Sequence, residues 1–200
     1  MEYLVAVLVS VASFAAAAQA PANPPVRIRG TVDKLDGAML TVKTRDGQSA
    51  VIKLADNTVV MGVVKASPAD IDTTKFIGTT TVGERDGAMV ALEVHIFPES
   101  MRGAGEGHRD WDLRPNSKMT NAAVASVTAM GKDRVMTVQY KNGEKKVLVT
   151  DSTAVVSYAP SDRGALKPGA PVFINSQKHA DGSLATNRVN VGLNGQAPPM

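Results

Sequence analysis

The sequence predicts an all-β protein built from two tandem small OB-like β-barrels that arose by internal duplication. Two observations support this class: short apolar–polar alternations end repeatedly at Asp-Gly or Asn-Gly turns, and the second half of the chain repeats the first. No amphipathic helix of any length interrupts these alternations. A unit of about 70 residues with roughly five or six short strands closes most economically as a small barrel. A double-Ψ barrel or one larger sandwich is the alternative.

The two halves share their turns and their buried positions. The first half reads GTVDKLDGAMLTVKTRDGQSAVIKLADNTVV from Gly30, and the second reads ASVTAMGKDRVMTVQYKNGEKKVLVTDSTAVV from Ala125. The aligned pairs are Thr41-Val42 with Thr137-Val138, Asp46-Gly47 with Asn142-Gly143, Asp56 with Asp151, Gly78 with Gly169, Asp86-Gly87 with Asp181-Gly182, and Val94 with Val189. Because turns and apolar positions coincide, we predict one barrel over residues 26–98 and its copy over residues 121–195.

The first unit shows how each strand is inferred. Val26, Ile28 and Val32 alternate with charged or polar residues, which is the period of two that buries one face of a strand. Asp36-Gly37 then accepts the positive φ angles of a tight hairpin. Further elements are predicted in order as strands at Met39–Thr44, Ala50–Leu54 and Val59–Val64, a helical turn at Pro68–Ile71, and strands at Thr79–Glu84 and Met89–Phe97.

The ends of the chain are predicted to lie outside the barrels. Leu4 to Ala18 is continuously apolar or small and is followed by alanines at cleavage spacing, so residues 1–20 are predicted to be a signal peptide. Its start carries Glu2 and no Lys or Arg, which departs from the usual pattern. An uncleaved anchor is the alternative, although a membrane span needs about 20 apolar residues. We expect a proline-rich tether at residues 21–25, a disordered tail at residues 196–200, and a periplasmic or secreted mature chain without a membrane span.

Composition excludes several classes of function. The chain has no cysteine, which excludes thiolate chemistry, a disulfide framework and a lipid-modified cysteine. Its formal net charge of +3 is spread along the sequence and is not clustered as in a nucleic-acid footprint. Aromatic residues make up only 4% of the chain and are too scattered to form stacking platforms along a groove. We therefore expect no nucleic-acid partner.

The repeated pattern resembles a known family. It reads G-x-V-x-x-x-x-G-x-x-L-T-V-x-x-x-x-G, then D-x-T-x-V, then a late D-G-x-x-x-A-x-x-V-x-V, and it resembles the bacterial family called domain of unknown function 5666. Members look like secreted OB-like modules, often in tandem, and the resemblance covers Ile28 to Val191. It consists of turns and buried positions, so it implies a fold and not an activity.

The segment EVHIFPESMRGAGEGHRDWDL resembles that of alphaproteobacterial members of the same family whose automated label is a metal-transporter permease. A permease needs several membrane spans, and the sequence has none after its leader. We reject that label and keep from it only the hint of a metal.

The segment from Glu93 to Asn121 has no counterpart in the other half, and the predicted connector occupies residues 99–120 within it. It holds two of the three histidines and the only tryptophan. On the preceding strand, His95 shares a face with Glu93, opposite the apolar positions, so it points at solvent or at the connector. The residues predicted to contact a ligand or partner are Glu93, His95, Arg102, His108, Arg109 and Trp111. Trp111 is also expected to be an apolar plug that fixes the connector.

A metal site is the rival prediction for the same segment. The candidate ligands are His95, Glu99, Glu106 and His108, with Asp110 and Asp112 as further oxygen ligands and Met101 and Met119 as soft ligands for copper. Their spacing matches no metal motif, so the alternative is that the histidines are polar contacts of the connector. The alternating glycines between Arg102 and Arg109 offer backbone amides to an anion, or simply a flexible crossing between barrels.

The predicted function is therefore non-enzymatic. The sequence shows no nucleophile elbow, and the acid pair Asp110 and Asp112 is more simply a solvated patch paired with arginines. We predict a binding or scaffold module of the cell envelope, without a cofactor, that recruits an envelope protein or a small ligand to a groove near Glu93–Leu113. The alternative is a periplasmic metal-binding or metal-delivery protein that uses the histidines of the connector.

Overall fold

The computed structural model describes residues 25–200, so the predicted signal peptide and nearly all of the predicted tether lie outside the described residues. Over these residues the chain forms twelve strands and three single 3-10 turns, the latter at Pro68–Asp70, Glu99–Met101 and Arg163–Ala165. The strands are β1 (Val26–Asp36), β2 (Met39–Thr44), β3 (Ser49–Lys65), β4 (Phe76–Arg85), β5 (Ala88–Ile96), β6 (Gly107–Asp110), β7 (Lys118–Met130), β8 (Asp133–Tyr140), β9 (Gly143–Val149), β10 (Ala154–Pro160), β11 (Pro171–Lys178) and β12 (Leu184–Gly192). None of the helical turns in residues 25–200 has the length and apolar character that a transmembrane helix requires.

The first barrel is a closed ring of β1, β2, β3, β12 and β11. Strands β1 to β3 form an antiparallel meander, and β11 lies antiparallel to β1 with Ile174 opposite Ile28. Strand β12 pairs antiparallel with β11 and closes the ring by pairing parallel with β3, where Val189 lies opposite Val60. This is the five-stranded Greek-key closure of an OB-like barrel.

The second barrel repeats this order with β7, β8, β9, β5 and β4. Strands β7 to β9 form the meander, and β4 lies antiparallel to β7 with Thr79 opposite Thr120. Strand β5 closes the ring by pairing parallel with β9 at Met89 and Val90. The predicted all-β class, with small OB-like barrels, is confirmed.

The predicted barrel boundaries are wrong, because each barrel contains strands from both halves of the chain. The first barrel takes its hairpin β11–β12 from the second half, and the second barrel takes its hairpin β4–β5 from the first half. The physical reason lies in β3, a strand of 17 residues that extends beyond the first barrel to pair with β10. The end of β3 leads the chain away from the β1–β3 meander, so the next hairpin, β4–β5, completes the second barrel.

The two halves are related by a pseudo-twofold axis through the pairing of β3 with β10. Val63 lies opposite Tyr158, and these two residues occupy equivalent positions in the sequence repeat. Strand β10 also pairs parallel with β5, where Val155 lies opposite Val94, just as β3 pairs with β12. We call the region where β3, β10 and β5 lie side by side the junction. The barrels are therefore joined by one continuous sheet.

Each barrel has its own apolar core. The fully buried members of the first core include Leu40, Val42, Ile52, Ile174 and Val191, and those of the second include Ile77, Val94, Met136, Val138 and Val147. Gly30 lies where β1 passes close to β2, and a Cβ there would lie 2.1 Å from the carbonyl oxygen of Lys43. A third cluster of Met119, Phe173 and Met200 lies between the barrels, with Trp111 and Tyr158 packed against it.

The predicted disorder of residues 196–200 is also wrong. Met200 is only 1% exposed and packs against Met119 and Phe173 in the third cluster. The Arg29 Nε donates a hydrogen bond of 2.9 Å to the Met200 carbonyl oxygen. Burial of the methionine side chain offsets the entropy lost when this short, proline-containing segment is ordered.

We expect the two barrels to unfold in a single transition, because neither ring can close without a hairpin from the other half. Leu40→Ala and Met136→Ala remove buried side chains at equivalent positions of the two cores. Each should lower the free energy of unfolding by about 2–5 kcal/mol. Urea titrations followed by circular dichroism and by Trp111 fluorescence should give coincident curves for both variants.

Met39→Ala is the matched control, because Met39 is 41% exposed and its loss should change stability by less than about 0.5 kcal/mol. Two separate transitions, each sensitive to only one of the core substitutions, would show that the barrels fold independently.

Candidate functional site

The wall of the second barrel that faces the junction is built from two rows of residues across four adjacent strands. Strand β6 of the connector pairs with β7 and so extends this wall beyond β5, β4 and β7. From β5 to β6, one row is His95, Gly78, Asn121 and Gly107, and the next row on the same face is Glu93, Thr80, Met119 and Arg109. We call these residues the junction face. The opposite face of the same strands points into the barrel core.

Glu93 and His95 form a buried pair on the junction face. His95 Nδ1 lies 2.9 Å from Glu93 Oε2, and Thr80 Oγ1 donates a hydrogen bond of 2.6 Å to Glu93 Oε1. Glu93 is 1% exposed and His95 is 4% exposed. The prediction that they share a face opposite Val94 is confirmed, and they point at the connector side and not at solvent. A carboxylate buried this deeply requires such partners, so the pair fixes the orientation of the imidazole.

Gly78 lets the His95 ring and the Asn121 amide meet over the backbone of β4. A Cβ at Gly78 would lie 2.0 Å from His95 Nε2 and 2.8 Å from Asn121 Oδ1, so no larger residue fits without displacing both. Asn121 Nδ2 donates a hydrogen bond of 2.9 Å to the carbonyl oxygen of Ala104 in the connector. This contact leaves Asn121 Oδ1 as an acceptor that has no partner in the described chain, although the residue is only 6% exposed.

A cavity of about 200 Å³ lies between the junction face, the hairpin β11–β12 and the connector. We call it the junction cavity. Its lining includes His95 and Asn121 from the junction face, Phe173 and Arg188 from the hairpin, and Trp111 from the connector. Burial, together with the nearby charge of Glu93, raises the pKa of Tyr158, which also lines the cavity, so this phenol stays protonated.

Trp111 closes one side of the cavity beneath a group of arginines. The Arg27 guanidinium lies 3.9 Å from the centroid of the indole ring, and the Phe173 ring lies 6.3 Å away on a tilted plane. Asp112 is held by Arg29 at 2.7 Å and Arg27 at 3.5 Å. Burial by itself raises the pKa of Asp112, but the hydrogen bond and charge of Arg29 outweigh it and lower the pKa. These contacts fix the connector against the first barrel.

Other predicted site residues hold the connector against the second barrel. Arg102 forms a salt bridge with Glu99 and donates a hydrogen bond of 2.5 Å to the Thr74 carbonyl oxygen. Glu106 Oε1 accepts a hydrogen bond of 2.9 Å from the backbone amide of Lys141. None of these three predicted residues lines the junction cavity.

The four predicted metal ligands do not come together. His108 pairs with Thr120, one position away from Asn121, so its side chain lies on the opposite face of the sheet from His95. Its Nδ1 lies 2.8 Å from Thr120 Oγ1. Within residues 25–200, no three His, Cys, Asp or Glu side chains form a group that could hold a metal ion. Both histidines make the polar contacts that were the alternative interpretation.

Several residues of the cavity were missed by the sequence interpretation because the exchanged hairpin brings them from the second half. Asn190 and Arg188 on β12 line the cavity, as does Tyr158 on β10. One signal was available: Asn190 interrupts the apolar pattern of β12 at the position where His95 interrupts that of β5. By strand pairing, the counterpart of Gly78 is Phe173, which lies opposite Asn190, and not Gly169 as aligned from sequence.

Comparison with models of known protein families, with curated proteins and with solved structures gives no match for this chain. The fold and the site therefore rest on the strand pairing and contacts described above.

The side of the sheet on which His108 lies can be tested by its titration. Burial, followed by the charges of Lys145 and Lys118, lowers the pKa of His108 below its ordinary value of 6.5. The folded state therefore favours neutral His108. Its contribution to stability is complete above pH 6.5 and is lost as the pH falls through the lower folded-state pKa.

Lys145→Gln should raise the pKa of His108, measured by NMR titration of the imidazole proton signals. Lys146→Gln is the control, because this neighbouring lysine does not contribute to the shift. If both variants moved the His108 titration equally, the placement of His108 beside Lys145 would be wrong.

Proposed function

We propose that this protein is a non-enzymatic binding module of the bacterial cell envelope that holds a small ligand in the junction cavity. The single observation that carries the proposal is the unpartnered Asn121 Oδ1, a buried acceptor of a residue that lines this cavity. A buried acceptor without a partner costs about 1–3 kcal/mol, and a ligand that donates a hydrogen bond to it would recover that loss.

The size and the walls of the cavity favour a small molecule over a protein partner. Ligand pockets are concave, largely apolar and marked by a few fixed polar groups. The junction cavity combines aromatic side chains with His95 and Asn121, each held in place by one hydrogen bond. A protein surface would need a broad contact area instead of a concave volume of about 200 Å³.

The absence of a nucleophile supports a binding role over an enzymatic one. A carboxylate paired with an imidazole, as in Glu93 and His95, is also the base of Ser-His-Asp catalysis. Such a base needs a hydroxyl or thiol within reach of its free nitrogen. Within the described residues, the cavity lining contains no serine, threonine or cysteine. Its one phenol beside His95, that of Tyr158, has a raised pKa and stays protonated.

An envelope location is part of the proposal and has two supports in the sequence. Residues 1–20 have the apolar run and the small residues of a secretory leader. The pattern of turns and buried positions also resembles the secreted modules of the family called domain of unknown function 5666. Fractionation of a native host, with sequencing of the mature N-terminus, tests the location directly.

We expect a small molecule from envelope extract to change the emission of Trp111, which is the only tryptophan of the chain and lines the cavity. Asn175→Phe should abolish this change, because Asn175 is an exposed residue of the cavity rim and a phenyl ring there would fill the entrance. The bound molecule would then be identified by mass spectrometry of the denatured complex.

Asn187→Phe is the matched control, because this exposed asparagine on the same hairpin does not line the cavity. If both variants retained the same small molecule as the native protein, the ligand would not occupy the junction cavity. Calorimetry with zinc and copper provides a second check: saturable binding abolished by His95→Ala and by His108→Ala would favour a metal-binding protein instead.

A further inference from the structure

We propose that the ligand of the junction cavity is a small planar anion that also carries a hydrogen-bond donor, with a single-ring hydroxycarboxylate as its simplest form. This inference rests on the proposed function and adds the chemical class of the ligand. Three parts of the cavity carry it: two arginines, a pair of hydrogen-bond acceptors, and aromatic walls.

The arginines supply the positive charge. Arg109 and Arg188 line the cavity, and the described lining contains no aspartate or glutamate. The salt bridges of the described chain do not include either of them. Arg188 Nη1 contacts the Met101 thioether at 3.7 Å, which is a weak acceptor. Burial and the charge of Arg27 lower the pKa of Arg109, so an anion beside it would stabilise its charged form.

The acceptors are Asn121 Oδ1 and His95 Nε2. The Ala104 carbonyl oxygen accepts from the Asn121 amide nitrogen, which turns Oδ1 away from the connector backbone. In the tautomer whose Nδ1 donates to the Glu93 carboxylate, His95 Nε2 is an acceptor. Both acceptors flank the same point above Gly78. That point is closed to any added atom, because it lies 2.0 Å from His95 Nε2. A ligand hydroxyl or amine would therefore donate to these acceptors from the cavity side, where a second acceptor would be repelled.

The charge and the acceptors lie close enough for one small molecule to reach both. A Cβ at Gly105 would lie 3.2 Å from Asn121 Nδ2 and 3.6 Å from Arg109 Nη2, so these side chains are neighbours on the junction face. The cavity of about 200 Å³ is smaller than the roughly 300–1,000 Å³ of pockets for drug-sized ligands. This volume suits one ring with small substituents.

The walls favour a flat molecule. The Phe97 and Tyr158 rings have centroids 5.6 Å apart at an interplanar angle of 31°, and the His95 ring meets both edge-on. Phe173 and Trp111 line another part of the cavity. Aromatic faces and edges pack on a planar ring at little entropic cost, because these side chains are already fixed by their neighbours.

Four probes separate the contributions of charge and donor, measured by calorimetry on the mature protein and by Trp111 fluorescence. Para-hydroxybenzoate has both groups, benzoate lacks the donor, para-methoxybenzoate replaces the donor by an acceptor, and para-hydroxybenzyl alcohol lacks the charge. We expect para-hydroxybenzoate to bind about tenfold more tightly than each of the other three. Raising the salt concentration should weaken only the charged probes.

Two substitutions locate the effect. Arg188→Gln should reduce the affinity for para-hydroxybenzoate about tenfold and leave that for para-hydroxybenzyl alcohol unchanged, because only the carboxylate uses this charge. Arg114→Gln is the matched control, because Arg114 is an exposed arginine of the connector outside the cavity lining. The comparison of probes on the native protein needs no variant, so it stands even if a substitution impairs folding.

Equal affinity for para-methoxybenzoate and para-hydroxybenzoate would overturn the acceptor assignment. Equal effects of Arg188→Gln and Arg114→Gln would overturn the charge assignment. If no probe bound at about 1 mM while Asn175→Phe still abolished the Trp111 response to envelope extract, the ligand class would be wrong and the proposed function would stand. If Asn175→Phe had no effect on any response, both would fail.

Discussion

The antiparallel pairing of β3 with β10 determines the architecture of this protein. Because β3 continues past the first barrel to meet β10, the following hairpin reaches the second barrel instead of closing the first. The same geometry acts on the other half, since Val63 and Tyr158 are equivalent positions that lie opposite each other. The contact between the barrels is therefore a backbone ladder within one sheet, with parallel pairing to β5 and β12 on its flanks. Compared with this ladder, an interface formed only by side-chain packing would hold the barrels less strongly and would define their relative position less closely.

This symmetric frame carries an asymmetric site. Gly78 lies opposite His95 on one side of the axis, while Phe173 lies opposite Asn190 on the other. The glycine makes room for the imidazole, and the phenylalanine fills space beside Trp111 and Met200. The segments that follow the two hairpins differ as well, because one becomes the connector and the other the C-terminal residues that bury Met200. The two halves therefore supply similar walls that differ at equivalent positions, with glycine opposite histidine in one and phenylalanine opposite asparagine in the other.

The sequence was sufficient for those features that depend on local pattern. Alternation and turn dipeptides predicted the strands, and the shared face of Glu93 and His95 followed from the period of two. The exchange of hairpins could not be predicted, because both hairpins present the same apolar pattern to both meanders. The register of β6 with β7 could not be predicted either. A shift of one residue in β6 decides whether His108 or Arg109 faces the junction. The burial of Met200 depends on Phe173 and Met119, which are distant in sequence.

The rigidity of the cavity walls follows from where their strands lie in the sheet. Strand β4 is paired on both sides, by β5 and β7, and the part of β7 that carries Asn121 is paired by β4 and β6. Side chains on strands that are paired on both sides are held in place, so a ligand of the proposed cavity would bind at little cost in conformational entropy. The connector is held differently, by one short strand and by three hydrogen bonds, from Asn121 to Ala104, from Arg102 to Thr74 and from Lys141 to Glu106. An opening that admitted a ligand would therefore involve the connector, including Arg109 on β6, while His95 on β5, Asn121 on β7 and Arg188 on β12 belong to the paired sheet.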